Sequence, residues 1–171
     1  LLLSGAIDAV AKIVSNTCDL DLPKLNVGFR RKQFLKEINK SNFSSLKSLI
    51  NDDKEFSSTL SILGEYRNKI HDTEFGSTSF NFDSPLICLD KYTGHKIFCA
   101  AEAFEDHDQW CIEKGDEIYL SPFEFGCKLL DMGVVLIDKV ANVLISDLNS
   151  EIKPMNYCCT DWEKIKIEAL G

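Results

Sequence analysis

The chain has 171 residues, 44% of them apolar and 27% charged, enough for one domain with a real core (1–171) and ordinary for a globular protein. Its net charge of −8 is uneven: residues 1–50 carry eight Lys/Arg against four Asp/Glu, and residues 51–171 carry eleven against twenty-three. That balance excludes nucleic-acid binding by bulk electrostatics, and the absence of a long uncharged apolar run argues against a membrane-spanning helix and a membrane partner.

The first predicted element is a helix over 1–15, where Leu2, Leu3, Ala6, Ile7, Val10, Ile13 and Val14 recur at helical spacing, and Asn16-Thr17 ends it. Leu1-Leu2-Leu3 lacks the basic flank of a signal peptide, and Asp8 and Lys12 interrupt the apolar residues after it. The missing initiator Met reads as residues preceding Leu1. Pro23 and Gly28 mark 18–28 as a loop. A short helix is expected at about 29–39, with Phe29, Phe34, Leu35 and Ile38 on its apolar side, and another at Phe43 to Ile50 capped by Ser41 or Asn42. Arg30-Arg31-Lys32, with Lys36 and Lys40, is the one basic patch that could touch RNA, although a solvated helix face is the plainer reading of such a run.

The cleanest amphipathic stretch starts near Asp52, with Asn51 or Asp52 as its cap, and closes on Glu65-Tyr66-Arg67-Asn68-Lys69-Ile70-His71-Asp72. Phe56, Leu60, Leu63, Tyr66 and Ile70 form its apolar stripe; Arg67 falls inside that stripe and His71 at its edge. A buried cation is costly unless paired, so an Arg in that position is expected to have a use. A structural use is open: Arg67 paired with a carboxylate, and His71 favoured at a helix C-terminus.

Residues 75–120 change character. Leu86–Leu89, Lys96–Ala100 and Glu117–Leu120 read as short strands joined by turns at Thr93-Gly94 and Lys114-Gly115-Asp116, giving a β-hairpin or meander inserted in a mostly α chain of about five helices; Ala100–Phe104 reads equally as helix. Ser121-Pro122-Phe123-Glu124 is a capping-box start for a long helix running to about Leu148. Its apolar residues fill more than one stripe, which suits either a central helix or one that also lies in a subunit interface. Residues 151–171 are polar, contain Pro154, and are expected to end in a short helix around Trp162–Ala169.

Arg67-Asn68-x-x-His71, preceded by Tyr66, resembles the signature of the HEPN superfamily of small helical bundles, and the order of helices, motif helix and long closing helix is similar to theirs. Three residues separate Arg67 from His71, one fewer than the family's shortest usual spacing, and Asp72 stands where the next spacing would place a His. The resemblance implies a homodimer that joins two motif helices, and a nucleic-acid-acting protein. In many members that means metal-independent RNA cleavage of a defence or toxin type; in others it means binding without catalysis. Arg67, Asn68 and His71 would be the catalytic set: His accepts a proton near neutral pH, and an Arg fork stabilises phosphoryl oxygens. A catalytically silent dimeric binding module on the same scaffold is the alternative.

No metal or cofactor is implied. Glu102, Glu105, Asp106, His107 and Asp108 have no enforced ligand spacing and read as an acidic loop, and His95 reads as an exposed turn residue. Seven cysteines, at 18, 88, 99, 111, 127, 158 and 159, are odd in number and lack a CxxC pair, which points to free thiols in a reducing cytoplasm. No phosphate-cradling glycine loop and no G-x-S-x-G is present.

Overall fold

A computed structural model describes residues 2–71, 78–79 and 86–151, with the backbone alone at 69–71, 78–79 and 151. It is mostly helical. The elements are α1 (Leu2–Thr17), α2 (Lys32–Lys40), α3 (Ser44–Asp52), α4 (Lys54–His71), β1 (Thr78–Ser79), β2 (Leu86–Cys88), α5 (Lys91–Ala101), β3 (Cys111–Lys114), β4 (Glu117–Leu120) and α6 (Pro122–Glu151). The short helix expected at 152–171 lies outside the described residues.

α6 is the spine. Its 30 residues span about 45 Å at 1.5 Å per residue, long enough to receive α1, α3 and α4 along its length. Phe125, Leu129, Met132, Leu136, Val140 and Leu144 form its buried side. Phe34 and Ile38 of α2, Leu46 of α3 and Ile62 of α4 are fully buried in the same core. No helix among the described residues is long and apolar enough to cross a membrane.

Two helix starts are set differently from expectation. α4 is capped by Asp53, not Asn51 or Asp52: its carboxylate accepts the Phe56 N–H at 2.8 Å and an ammonium proton of Lys139 at 2.8 Å. Burial raises the Asp53 pKa, but those two donors outweigh it and hold the group below the ordinary aspartate value. α3 is capped by neither Ser41 nor Asn42; Asp147 of α6 reaches its first N–H groups instead.

The insertion is a small antiparallel sheet of order β1-β2-β4-β3 with a helix inside it. β3 and β4 form a two-residue hairpin in register Lys114↔Glu117, where Gly115 takes φ +65°, a left-handed value that favours glycine. The expected strand at 96–100 and turn at Thr93-Gly94 are both corrected, because that stretch is α5. Asp90 caps it by accepting the Thr93 N–H at 3.1 Å. Gly94 is there for closeness and not for a turn: a Cβ would lie 3.0 Å from Ile118 Cβ of β4. Gly94→Ala is therefore expected to destabilise by about 1 kcal/mol, the overpacking cost of roughly 1–3 kcal/mol outweighing the roughly 1 kcal/mol that alanine gains in an ordinary helix interior. Chemical denaturation of the two proteins measures it.

Aromatic contacts carry the fold to the motif. Tyr66 meets Phe125 edge-on at 5.1 Å, and Phe125 meets Trp110 at 5.7 Å, so the last turns of α4 are fastened to α6 and the sheet. Phe29 meets Phe34 and Phe56 edge-on, each at 5.5 Å, which fixes the segment before α2 against α4.

Candidate functional site: a basic groove over helix α4

The fastened segment and the fastened helix make two walls of a groove; α1 is the third. The groove has a volume of about 700 Å³. Among the described residues its lining carries five cations, Lys12 from α1, Lys24, Arg30 and Arg31 from the segment before α2, and Arg67 from α4, against one carboxylate, Asp8. In a chain of net charge −8 this is a concentrated reversal of sign. Part of its floor is apolar (Ile7, Leu60 and Leu63), and Asn68 stands beside Arg67 on its wall.

Four of the six residues singled out in the sequence thus meet in one place: Arg30, Arg31, Arg67 and Asn68. Lys32 is exposed at the first position of α2 but is not part of the lining. His71 is the last residue of α4, one helical turn beyond Arg67, and its side chain lies outside the described residues. Lys12 and Lys24 are groove residues that no local pattern announces, since each is a single lysine among apolar or loop residues.

Arg67 corrects one expectation. It shares the wheel position of the apolar stripe, yet its side chain is 47% exposed and its Nη1 lies 3.4 Å from Asp8 Oδ2. The core packs against Ile62, Leu63 and Tyr66, so the stripe's other edge opens into the groove. The arginine is neither buried nor in need of the strong neutralisation that burial would demand.

Arg30 is as exposed as Arg67, but its carboxylate is more buried. Its Nη2 lies 3.8 Å from Glu65 Oε1, and Glu65 is only 15% exposed. Lys96 of α5 reaches the same oxygen at 3.2 Å while its ammonium sits 4.2 Å over the Tyr92 ring. Glu65 is therefore bracketed by two cations from different elements.

The other candidate residues serve the fold. Asp106 of the acidic cluster bonds Lys128 at 2.8 Å, and that ammonium's donation lowers its pKa. His107 Nδ1 sits 2.9 Å from the Phe104 carbonyl oxygen. Among the described residues no three His, Cys, Asp or Glu side chains converge as metal ligands. His95 is exposed on α5 and not in a turn, with Nε2 3.7 Å from Cys99 Sγ. Cys111 is buried, which pushes its thiol up to about 12 and leaves it inert at neutral pH.

No protein-family model, curated protein or solved structure matches the chain.

Proposed function

We propose that the chain is a HEPN-like, nucleic-acid-acting protein whose groove seats the phosphodiester backbone of single-stranded RNA. The observation that carries this reading is the gathering of five cations from three separate segments over the Arg67-Asn68 motif in an otherwise acidic molecule. Phosphate is the ligand chemistry that arginine forks match best. Among the described residues no exposed aromatic ring lines the groove, since Phe29 is buried, so binding rests on the backbone and not on base stacking.

Cleavage in this reading is metal-independent. His71 accepts the proton of a 2′-hydroxyl, whose oxygen attacks the adjacent phosphorus. The bond from phosphorus to the 5′-oxygen breaks, that oxygen takes a proton from water, and a 2′,3′-cyclic phosphate remains. Arg67 stabilises the charge that builds on the phosphoryl oxygens, and Asn68 orients one of the pair. A homodimer belongs to the same reading. Its support is a row of exposed apolar side chains along one side of α6, formed by Phe123, Leu130, Val134 and Ile145. The silent-module alternative also has an observation in its favour, because Asp8 already contacts Arg67.

The test is incubation of single-stranded RNA with wild type, Arg67→Ala and His71→Ala in the presence of a chelator. The expected result is binding by wild type, cyclic-phosphate ends from wild type only, and retained binding by His71→Ala. RNA bound by wild type but left whole removes the nuclease step and leaves the binding module. RNA that is neither bound nor cut overturns both.

A further inference from the structure

We infer that the groove's two partnered arginines are set for different tasks by different carboxylates: the mostly buried Glu65 keeps Arg30 over Gly64, whereas the exposed Asp8 holds the place at Arg67 that a ligand phosphate takes. This deepens the phosphate-binding reading of the same groove and rests on it.

The seat is built from the absence of a side chain. Gly64 lies on the groove side of α4, and a Cβ built there would fall on the Arg30 guanidinium. The guanidinium thus occupies the space that any other residue at position 64 would fill. Glu65, mostly buried and shared with Lys96, holds it there. Positions 64 and 67 are three apart, so the seated guanidinium of Arg30 lies about one helical turn from the base of Arg67. Two forks from different segments then face one stretch of groove, an arrangement suited to successive phosphates.

Asp8 differs from Glu65 in burial, while the two arginines are equally open at 47% and 48%. Asp8 is 52% exposed against 15% for Glu65, which Lys96 also holds. A pair this open contributes little, so an incoming phosphate displaces it at small cost. The same carboxylate repels a phosphate until it moves. Removing its charge is expected to improve binding, while removing the seat of Arg30 is expected to weaken it.

The experiment measures a fluorescein-labelled oligouridine by anisotropy, and inorganic pyrophosphate by thermal shift, with wild type, Asp8→Asn, Gly64→Ala, Arg30→Ala and the Gly64→Ala/Arg30→Ala double variant. Asp8→Asn is expected to bind the oligouridine up to about fivefold more tightly. Gly64→Ala and Arg30→Ala should each weaken it about tenfold, and the double variant should be no weaker than either, because both remove the same fork. Each should also flatten the salt dependence by about 0.7 in log K against log salt, the single-strand value for one phosphate contact, which a general structural disturbance does not do. Arg30→Ala removes only a half-exposed side chain and keeps the test decisive if Gly64→Ala misfolds. An Asp8→Asn variant no tighter than wild type, or fully additive losses in the double variant, overturns the proposal while leaving RNA binding standing. Pyrophosphate that stabilises wild type, and Asp8→Asn more, with no oligouridine bound, supports the clamp and overturns the RNA reading instead.

Discussion

Asp147→Ala is expected to cost about 3 kcal/mol of folding stability, from the loss of charge-assisted hydrogen bonds together with a helix cap. α3 begins without a side-chain cap of its own: Phe43 stands at the N-cap position. Its orphan donors are satisfied from across the molecule, with the Ser45 N–H donating to Asp147 Oδ1 and the Leu46 N–H to Oδ2, each at 3.0 Å. Asp147 is 4% exposed, so alanine would leave these donors with neither protein nor ready water as partner. At roughly 2–4 °C per kcal/mol for a chain of this size, the melting temperature should fall by about 6–12 °C. Asp147→Asn, which keeps an acceptor but loses the charge, should lose about half as much.

The pH dependence identifies the cause. Burial raises the Asp147 pKa, but the Leu46 N–H, the Ser45 hydroxyl and N–H and the Ser44 hydroxyl outweigh it, and the carboxyl sits below its ordinary value. A depressed carboxylate contributes stability above the unfolded-state pKa of about 3.9 and loses it as pH falls through the folded value. The gap between wild type and Asp147→Ala should hold from neutral pH down to about 5 and narrow below about 4. A gap that stays constant through the acid range would mean that lost packing, and not the cap, sets the cost. Asp53 and Asp106 are depressed in the same direction, so wild type should retain an acid slope even without Asp147.

How much of this is legible in the sequence differs by element. The Ser121-Pro122-x-Glu124 start is legible because its signal is local: α6 begins at Pro122, and the Ser121 hydroxyl donates to the Glu124 carboxylate. The α3 cap is not, because the capping residue is 102 positions from Ser45. α5 escapes a local reading for a related reason. Thr93-Gly94 looks like a turn in a short window, whereas the glycine answers to β4, which only the folded chain brings near.

The groove shows both limits together. The Arg67-Asn68 motif and the Arg30-Arg31 run are each visible, but nothing local says that they face each other. One signal is available: a glycine inside a helix costs about 1 kcal/mol relative to alanine, so Gly64 in the middle of the motif helix marks a close approach by something. The wheel also misplaces Arg67. It assigns a face but not how far the covering core extends, and here the core leaves that edge of α4 open.

The largest functional effect is expected from removing both forks. Arg30→Ala/Arg67→Ala should weaken single-stranded RNA binding about a hundredfold near 50 mM salt, at roughly tenfold for each half-exposed arginine. The two losses should add. Arg30 is seated on Gly64 and tied to Glu65, while Arg67 answers to Asp8, so each has its own carboxylate. Five groove cations on a single strand give a log K against log salt slope of up to about −3.5, and the double variant should flatten it to about −2. The loss must therefore shrink as salt rises, and at high salt the curves should converge. If the curves instead run parallel, the arginines support a shape and not a charge match.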